Sequence, residues 1–207
     1  MILQVSFDIA DLAKALEIAE KIKDYCDVLE VGNLLLQANG IKAIEEFQKH
    51  IPNKPLFVDS KIIEKGSETA ELLINSGADW ISIMAGTNPN IIRVAAEQAH
   101  SMKKKVMFDI SDSFAQEQSA LEDENLGADA IMIHENYNEN NPVAFMEKWA
   151  LITGNTKLPV FIEARITKKT SNAIFNLKPA GIIIGKAIVQ AEDPVEQTMY
   201  FYNLCKS

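Results

Sequence analysis

The chain has 207 residues, of which 47% are hydrophobic and 24% charged, and its formal net charge is −9 at pH 7. This composition is ordinary for a soluble globular protein and argues against disorder as the main state. The sequence has no apolar run of the roughly 18 residues needed for a membrane span, and it has only two arginines and one short basic run, at 103–105. We therefore expect neither a membrane nor a nucleic-acid partner.

Eight short apolar runs rich in Val, Ile and Phe recur along the chain, and each is predicted to be a buried strand. They occupy residues 2–8, 27–32, 55–60, 79–85, 105–110, 129–134, 158–163 and 181–185. Helical patterns such as 12–22 and 69–77 separate them, with roughly 25 residues per strand–helix unit. Strands that alternate with helices imply a parallel sheet. Eight units predict a single-domain (β/α)8 TIM barrel over residues 1–207, an α/β fold.

An open, doubly wound sheet is the alternative fold. No GxGxxG or GxxxxGK[ST] motif follows the first strand, which weakens an open nucleotide-binding fold. The opening segment has no basic region typical of a signal peptide. Cys26 and Cys205 do not form a disulfide framework. We therefore expect a cytoplasmic protein.

Two similar segments, 76–79 (SGAD) and 126–129 (LGAD), each precede a predicted strand and lie two strand–helix units apart. Both are interpreted as helix-to-strand turns. They would lie at the N-terminal ends of the strands, the face of a barrel that serves stability.

Polar residues follow or interrupt the apolar runs at their C-terminal ends, where a barrel carries its active site. They are Asp8, Glu30, Asp59, Lys61, Asp109, His134, Glu163, Arg165 and Lys186. Barrel closure would gather at least four carboxylates around one mouth. Crowded carboxylates repel one another and need a cation, a lysine or shared protons. Mg²⁺ suits such oxygen ligands and keeps open positions for water.

Asp59-Ser60-Lys61 is the sharpest local motif, because alternation in an extended strand places Asp59 and Lys61 on one face. Such a pair can position a proton or stabilise an oxyanion. Glu64 extends the pattern to D-x-K-x-x-E. The alternative is a surface ion pair.

His134 ends the sixth apolar run and is a candidate general acid or base, the alternative being a structural hydrogen bond. The last two strands of such barrels commonly supply a phosphate site. Here they end in Glu163-Ala164-Arg165 and Gly185-Lys186, so Arg165, Gly185 and Lys186 are candidate phosphate-binding residues. A salt bridge between Arg165 and Glu163 or a neighbouring carboxylate is the alternative for Arg165.

A family resemblance covers essentially the whole chain. It is carried by LQVSFDIADLAKALEIAEKI (3–22), DVLEVGNLLLQANGIKAIEEF (27–47), VDSKIIEKG (58–66), GADAIMIHENY (127–137) and GIIIGKAI (181–188). These segments resemble the orotidine-5′-phosphate decarboxylase superfamily, in its branch of 3-hexulose-6-phosphate synthases and 3-keto-L-gulonate-6-phosphate decarboxylases. VDSKIIEKG resembles the branch's D-x-K-x-x-D motif.

The resemblance implies a reaction and its machinery. In this family a Mg²⁺ ion stabilises the cis-enediolate of a pentulose phosphate, which the synthase condenses with formaldehyde and the decarboxylase reaches by losing CO2. Carried over, the metal ligands are Glu30 and Asp59. The catalytic residues are Asp8, Asp59, Lys61, Glu64 and His134, with Lys61 assisting charge and proton handling and His134 moving the proton. The substrate- and phosphate-binding residues are Asp109, Tyr137, Arg165, Gly185 and Lys186.

Tyr137 favours the synthase, because the decarboxylases tend to have Arg three residues after the catalytic histidine.

The family places its active sites at a dimer interface, so the resemblance implies a homodimer in which Glu64 reaches across to the neighbour. The chain also departs from the family. Glu64 replaces Asp, Lys186 replaces Arg, and Glu163-Ala164-Arg165-Ile166 replaces A-G-G-I. Because these changes fall at the predicted phosphate site, the substrate could be a different sugar phosphate.

Three hypotheses follow from the sequence. The first is a Mg²⁺-dependent aldehyde-lyase of the hexulose-phosphate synthase type, acting on formaldehyde and ribulose 5-phosphate. The second is a keto-gulonate-phosphate decarboxylase. The third, from another class, is a catalytically silent barrel that binds a ligand or partner.

Overall fold

The computed structural model describes residues 1–111, 123–134 and 142–207. Its eight strands pair in parallel, each with the next, and the last pairs with the first to close a barrel. They are β1 (Ile2–Phe7), β2 (Val28–Val31), β3 (Leu56–Ile62), β4 (Trp80–Met84), β5 (Lys105–Asp109), β6 (Ala130–His134), β7 (Val160–Glu163) and β8 (Gly181–Ile184). Each predicted strand is confirmed to within about two residues, and the closed barrel rules out the open-sheet alternative.

Helices surround the barrel in the described ranges. They are α1 (Leu12–Ile22), α2 (Asn33–Asn39), α3 (Ile41–His50), α4 (Gly66–Asn75), α5 (Pro89–Ser101), α6 (Pro142–Asn155), α7 (Ser171–Phe175), α8 (Lys186–Val189) and α9 (Pro194–Lys206). Asp11 caps α1 by accepting a hydrogen bond from the Lys14 amide, and Asp193 caps α9 in the same way. None of the helices in these ranges combines the length and the hydropathy required to span a bilayer.

Three apolar regions are buried in the described ranges, and the two largest lie on opposite sides of the barrel wall. The larger one packs the outward-facing strand residues, such as Leu3, Val5 and Ile81, against the helices. The smaller one fills the lower barrel interior, with Phe57, Met107, Ala130, Met132, Phe161 and Ile183. The interior is therefore a packed core, and a ligand has access only above it.

Three aspartates join strands in pairs at the N-terminal end of the barrel. Asp27 accepts a hydrogen bond from the Leu3 amide, Asp79 from the Leu56 amide and Asp129 from the Val106 amide. Each precedes an even-numbered strand and bonds the odd-numbered strand before it. The two SGAD- and LGAD-type turns thus belong to the stability face, as their sequence predicts.

Candidate active site

The apolar residues that fill the lower barrel interior form a plug. A layer of charged side chains lies directly above this plug, toward the C-terminal ends of the strands. Side chains alternate along a strand, so residues two positions apart share a face. Two residues beyond the plug residues Phe57, Met107, Met132 and Phe161, the same strands carry Asp59, Asp109, His134 and Glu163. The strand period therefore brings together side chains that lie far apart in the sequence.

Lys61 joins two of these carboxylates. Its Nζ lies 2.5 Å from Asp109 Oδ2 and 3.3 Å from Asp59 Oδ1. Burial disfavours the ammonium, but the Asp59 and Asp109 carboxylates outweigh that cost and raise the pKa of Lys61. The interpretation of Asp59 and Lys61 as a surface ion pair is wrong, because Asp109 is fully buried and Asp59 is only 6% exposed.

The backbone is shaped to hold Lys61 in this position. Lys61 has a φ of +46°, which is rare for a residue with a side chain, and the pairing of β3 with β4 shifts register between Val58 and Ile62. Ser82 stabilises this irregular backbone. Its hydroxyl accepts a hydrogen bond from the Lys61 amide at 2.8 Å and donates one to the Asp59 carboxylate at 2.9 Å. Local strain of this kind is typical of functional sites.

Glu30 is a buried carboxylate held by two neutral donors. Gln4 Nε2 donates to its Oε2 at 2.5 Å and the Ser6 hydroxyl to its Oε1 at 2.6 Å. Burial, followed by the nearby Glu163 and Asp59 carboxylates, raises the pKa of Glu30 well above its usual range despite these bonds. Gln4 and Ser6 lie on β1, beside Glu30 on β2, and are not among the predicted site residues.

Asp59 completes a pair of carboxylates suited to a hard cation. Burial raises its pKa, and Lys61 and the Ser82 hydroxyl oppose that rise. Among the described residues, no group of three or more His, Cys, Asp or Glu side chains is arranged to hold a metal. Mg²⁺, however, is commonly bound by one or two carboxylates together with water and substrate oxygens. Two buried, mutually repelling carboxylates, Glu30 and Asp59, fit that donor chemistry.

His134 and Glu163 form a pair across adjacent strands. They are directly opposite in the β6–β7 register, and His134 Nδ1 lies 3.3 Å from Glu163 Oε2. Burial, followed by the Asp59 carboxylate, raises the pKa of Glu163 to about 8, an effect that Lys61 reduces. The sequence places Glu163 at a strand end but does not predict it as a site residue. Because Glu163 lies two residues before Arg165, the sequence suggests a salt bridge between these two side chains instead.

A cavity of about 810 Å³ opens beside this charged layer. His134 and Glu163 line one side, and Arg165, Gly185 and Lys186 line another. A Cβ at Gly185 would lie 3.2 Å from the Ser6 carbonyl oxygen, so the chain passes close to β1 here. The suggested Arg165–Glu163 salt bridge is absent from the described part of the chain, where Glu163 pairs with His134. Arg165 and Lys186 are both exposed, and their charged groups are available to a ligand.

Asp8 lies at the cavity wall and holds the start of α2. Its Oδ1 accepts a hydrogen bond from the Leu34 amide at 2.8 Å. Close approach of the two segments requires glycine at position 32, because a Cβ there would lie 2.9 Å from Asp8 Cα and from the Phe7 carbonyl oxygen. The structure therefore gives Asp8 a positioning contact in addition to a place at the site.

Of the predicted residues in the described ranges, Glu64 lies apart from this cluster. Glu64 is exposed in the segment between β3 and α4, one residue after Ile63, which is 60% exposed. Tyr137 lies outside the described residues. The structure thus brings together the charged layer of Asp59, Asp109, His134 and Glu163 with Lys61 and Glu30. Around the cavity it places Asp8, Arg165, Gly185 and Lys186.

Comparison with known proteins gives one consistent result. A family model described as "Orotidine 5'-phosphate decarboxylase / HUMPS family" matches residues 1–199. The 3-hexulose-6-phosphate synthase of Staphylococcus aureus (strain USA300) is 30% identical over 200 residues, covering 95% of this chain and 94% of that protein.

Solved structures agree in fold. The 3-hexulose-6-phosphate synthase from Salmonella typhimurium has a TM-score of 0.90 at 24% identity, covering 100% of this chain and 99% of that chain. A structure of KGPDC from Streptococcus mutans has a TM-score of 0.87 at 19% identity, covering 99% of this chain and 97% of that chain. The matched length, the closed barrel and the strand-end carboxylates lead to one assignment. The chain belongs to the orotidine 5′-phosphate decarboxylase / HUMPS family.

Proposed function

We propose that this protein is a Mg²⁺-dependent aldehyde-lyase of the 3-hexulose-6-phosphate synthase type, which joins formaldehyde to ribulose 5-phosphate or reverses that reaction. The observation that carries the proposal is the buried carboxylate–lysine cluster of Glu30, Asp59, Lys61 and Asp109 beside a cavity with two cationic side chains at its rim. A relative that is 30% identical along almost the whole chain is named 3-hexulose-6-phosphate synthase.

The cluster suits a reaction that builds negative charge next to a carbonyl group. Mg²⁺ held by Glu30 and Asp59 would stabilise negative charge on substrate oxygens. The Lys61 ammonium, anchored by Asp59 and Asp109, supplies a further fixed positive charge in a site of low dielectric. His134 lines the cavity and removes the proton from the substrate carbon beside the carbonyl. That carbon then bonds to the formaldehyde carbon, and the formaldehyde oxygen, which becomes an alkoxide as its C=O bond opens, takes the proton back from His134.

The other end of the cavity suits an anionic group. Arg165 and Lys186 contribute two positive charges at the rim, and Gly185 brings the backbone close to the ligand space. A guanidinium binds phosphate through paired N–H donors. We therefore assign the sugar phosphate to this end, with Arg165 supplying side-chain donors where the related sequences use glycine.

We also propose a homodimer with its sites at the interface, in which Glu64 acts from the neighbouring subunit. Exposed apolar side chains lie on this side of the barrel, with Ile63 beside Glu64 and Leu72 on α4, 60% and 51% exposed. A partner subunit would cover them and bring Glu64 close to a second site. Light scattering at micromolar concentration tests the assembly, and a monomer would contradict it.

The decisive experiment measures formaldehyde consumption with ribulose 5-phosphate, with and without Mg²⁺. Glu30→Gln and Asp59→Asn should each remove most activity, because they delete a metal-binding charge while keeping the side-chain shape. Glu45→Gln, at an exposed position of α3, is the control and should leave turnover unchanged. Activity that is absent, or that both site variants retain, would refute the proposal.

The decarboxylase is the second candidate, since a barrel of the KGPDC type matches this fold at a TM-score of 0.87. Release of CO2 from 3-keto-L-gulonate 6-phosphate, with no consumption of formaldehyde, would replace the first proposal by the second. Failure of the purified protein to bind either Mg²⁺ or a sugar phosphate would instead favour a catalytically silent barrel.

A further inference from the structure

We propose that Glu163 is a positioning residue for His134: its carboxylate holds Nδ1 of the imidazole, so that Nε2 is the nitrogen that exchanges a proton with the ligand in the cavity. This inference rests on the proposed function for the chemistry, but the geometry of the pair stands independently. The position of Glu163 in the sequence does not by itself predict this role.

The two side chains are set opposite each other by the barrel itself. His134 and Glu163 end the adjacent strands β6 and β7 and are partners in their register. Both side chains face the cavity, and Nδ1 lies 3.3 Å from Oε2. Because rigid strands hold both groups, this contact needs no induced rearrangement of the chain.

Glu163 has His134 as its partner among the described residues. Lys61, the cation of the cluster, is already paired with Asp59 and Asp109. Arg165, two residues further along the chain, makes no ion pair with Glu163 in the described ranges. A carboxylate that is only 23% exposed is costly without a compensating group. The His134 imidazole is the polar group that faces it, 3.3 Å away.

The contact has a direct chemical consequence for His134. Above pH about 8, where Glu163 is ionised, its carboxylate only accepts hydrogen bonds, so a bond across this 3.3 Å contact favours the tautomer that carries its proton on Nδ1. The lone pair of Nε2 is then available to a ligand, because the His134 side chain lines the cavity. The arrangement follows the general rule that a carboxylate behind a histidine sets its tautomer and orientation.

Direct observation of the tautomer tests the geometry without substrate. Imidazole ¹⁵N NMR should show His134 protonated on Nδ1 above pH about 8, where Glu163 is ionised. Glu163→Ala should shift the population toward the Nε2–H tautomer, which is preferred by imidazole without a partner. Glu163→Gln keeps a carbonyl acceptor and should retain much of the Nδ1–H population. An unchanged His134 spectrum in Glu163→Ala would overturn the proposal.

Kinetics test whether the contact serves the reaction. Above pH about 8, where Glu163 is ionised, we expect Glu163→Ala to lower kcat about 10- to 100-fold with KM changed by less than about twofold, and Glu163→Gln to lower kcat less. In a His134→Ala background, Glu163→Ala should cost nothing further, since its effect passes through the imidazole. The same loss in both backgrounds would contradict a positioning role.

The chain offers a matched control on its surface. His50 Nδ1 lies 3.6 Å from Glu46 Oε2 in α3, with exposures close to those of the site pair. Glu46→Gln should leave kcat unchanged. If the unmodified protein turns over neither proposed substrate, the proposed function fails, whereas the NMR result still decides whether Glu163 positions His134.

Discussion

Replacing Lys61 by methionine is the strongest single test of the charged layer. Methionine keeps an unbranched side chain of similar length but removes the ammonium that lies 2.5 Å from Asp109 and 3.3 Å from Asp59. Two buried carboxylates then face each other without a cation. The expected outcome is a loss of both stability and activity.

The size of the stability loss follows from burial. Removing one partner of a buried ion pair costs about 3–5 kcal/mol, because the remaining charge stays desolvated. The Lys61 side chain is 28% exposed, so water compensates part of that cost. We therefore expect Lys61→Met to lower the free energy of unfolding by about 2–4 kcal/mol near neutral pH. Its kcat/KM should fall by about 10²-fold or more, the usual contribution of such a group.

The loss should depend on pH with a defined sign. Burial already raises the pKa of Asp59, and the loss of Lys61 removes a group that opposes this rise. The folded state of the variant then binds more protons than the unfolded state. Its stability deficit should therefore shrink as the pH falls toward the ordinary range of Asp and grow as the pH rises.

Urea unfolding at several pH values, followed by circular dichroism, measures this effect. Lys42→Met, at an exposed position of α3, is the control and should unfold like the unmodified protein. A Lys61→Met variant with unchanged stability, or with a deficit that grows on acidification, would show that the cluster is not held together by this lysine.

Three further predictions concern the cavity and its walls. Arg165→Ala and Lys186→Ala should each raise KM for ribulose 5-phosphate about 10-fold or more with little change in kcat, and an unchanged KM in steady-state assays would place the phosphate elsewhere. Because the pKa of Glu163 is raised to about 8, the unmodified protein should lose stability as pH rises from about 4.5 to 8. Glu163→Gln should flatten this slope in thermal scans, and an equal slope would contradict the raised pKa. Gly32→Ala should cost about 1–3 kcal/mol in chemical unfolding, since its Cβ would clash with the Asp8 backbone, and a neutral effect would argue against this close approach.

Much of the barrel could be predicted from local patterns. The eight apolar runs correspond to the eight strands, and the helical pattern at 12–22 coincides with α1 (Leu12–Ile22). These elements follow from hydrophobic periodicity, which acts over a few neighbouring residues. The repeat of strand and helix then leaves few ways to bury the strands on both faces, and a closed barrel is one of them.

The candidate site was predictable in outline because barrels collect their strand ends at one mouth. This rule places Asp59, Asp109 and His134 on one face without any coordinates. It does not predict Gln4 and Ser6 as donors to Glu30, because nothing in a single sequence shows which neighbouring strand supplies a hydrogen bond.

Residue types and their spacing thus predict the fold and the set of charged groups at the barrel mouth, and the motifs carry the family resemblance. Which groups pair is a property of the folded chain alone. Lys61 pairs with Asp109, which lies 48 positions away in the sequence, as well as with the nearby Asp59. Glu163 faces His134 instead of Arg165. The reason is physical: pairing depends on strand register and on side-chain direction across the barrel, and both are set only when the eight strands close.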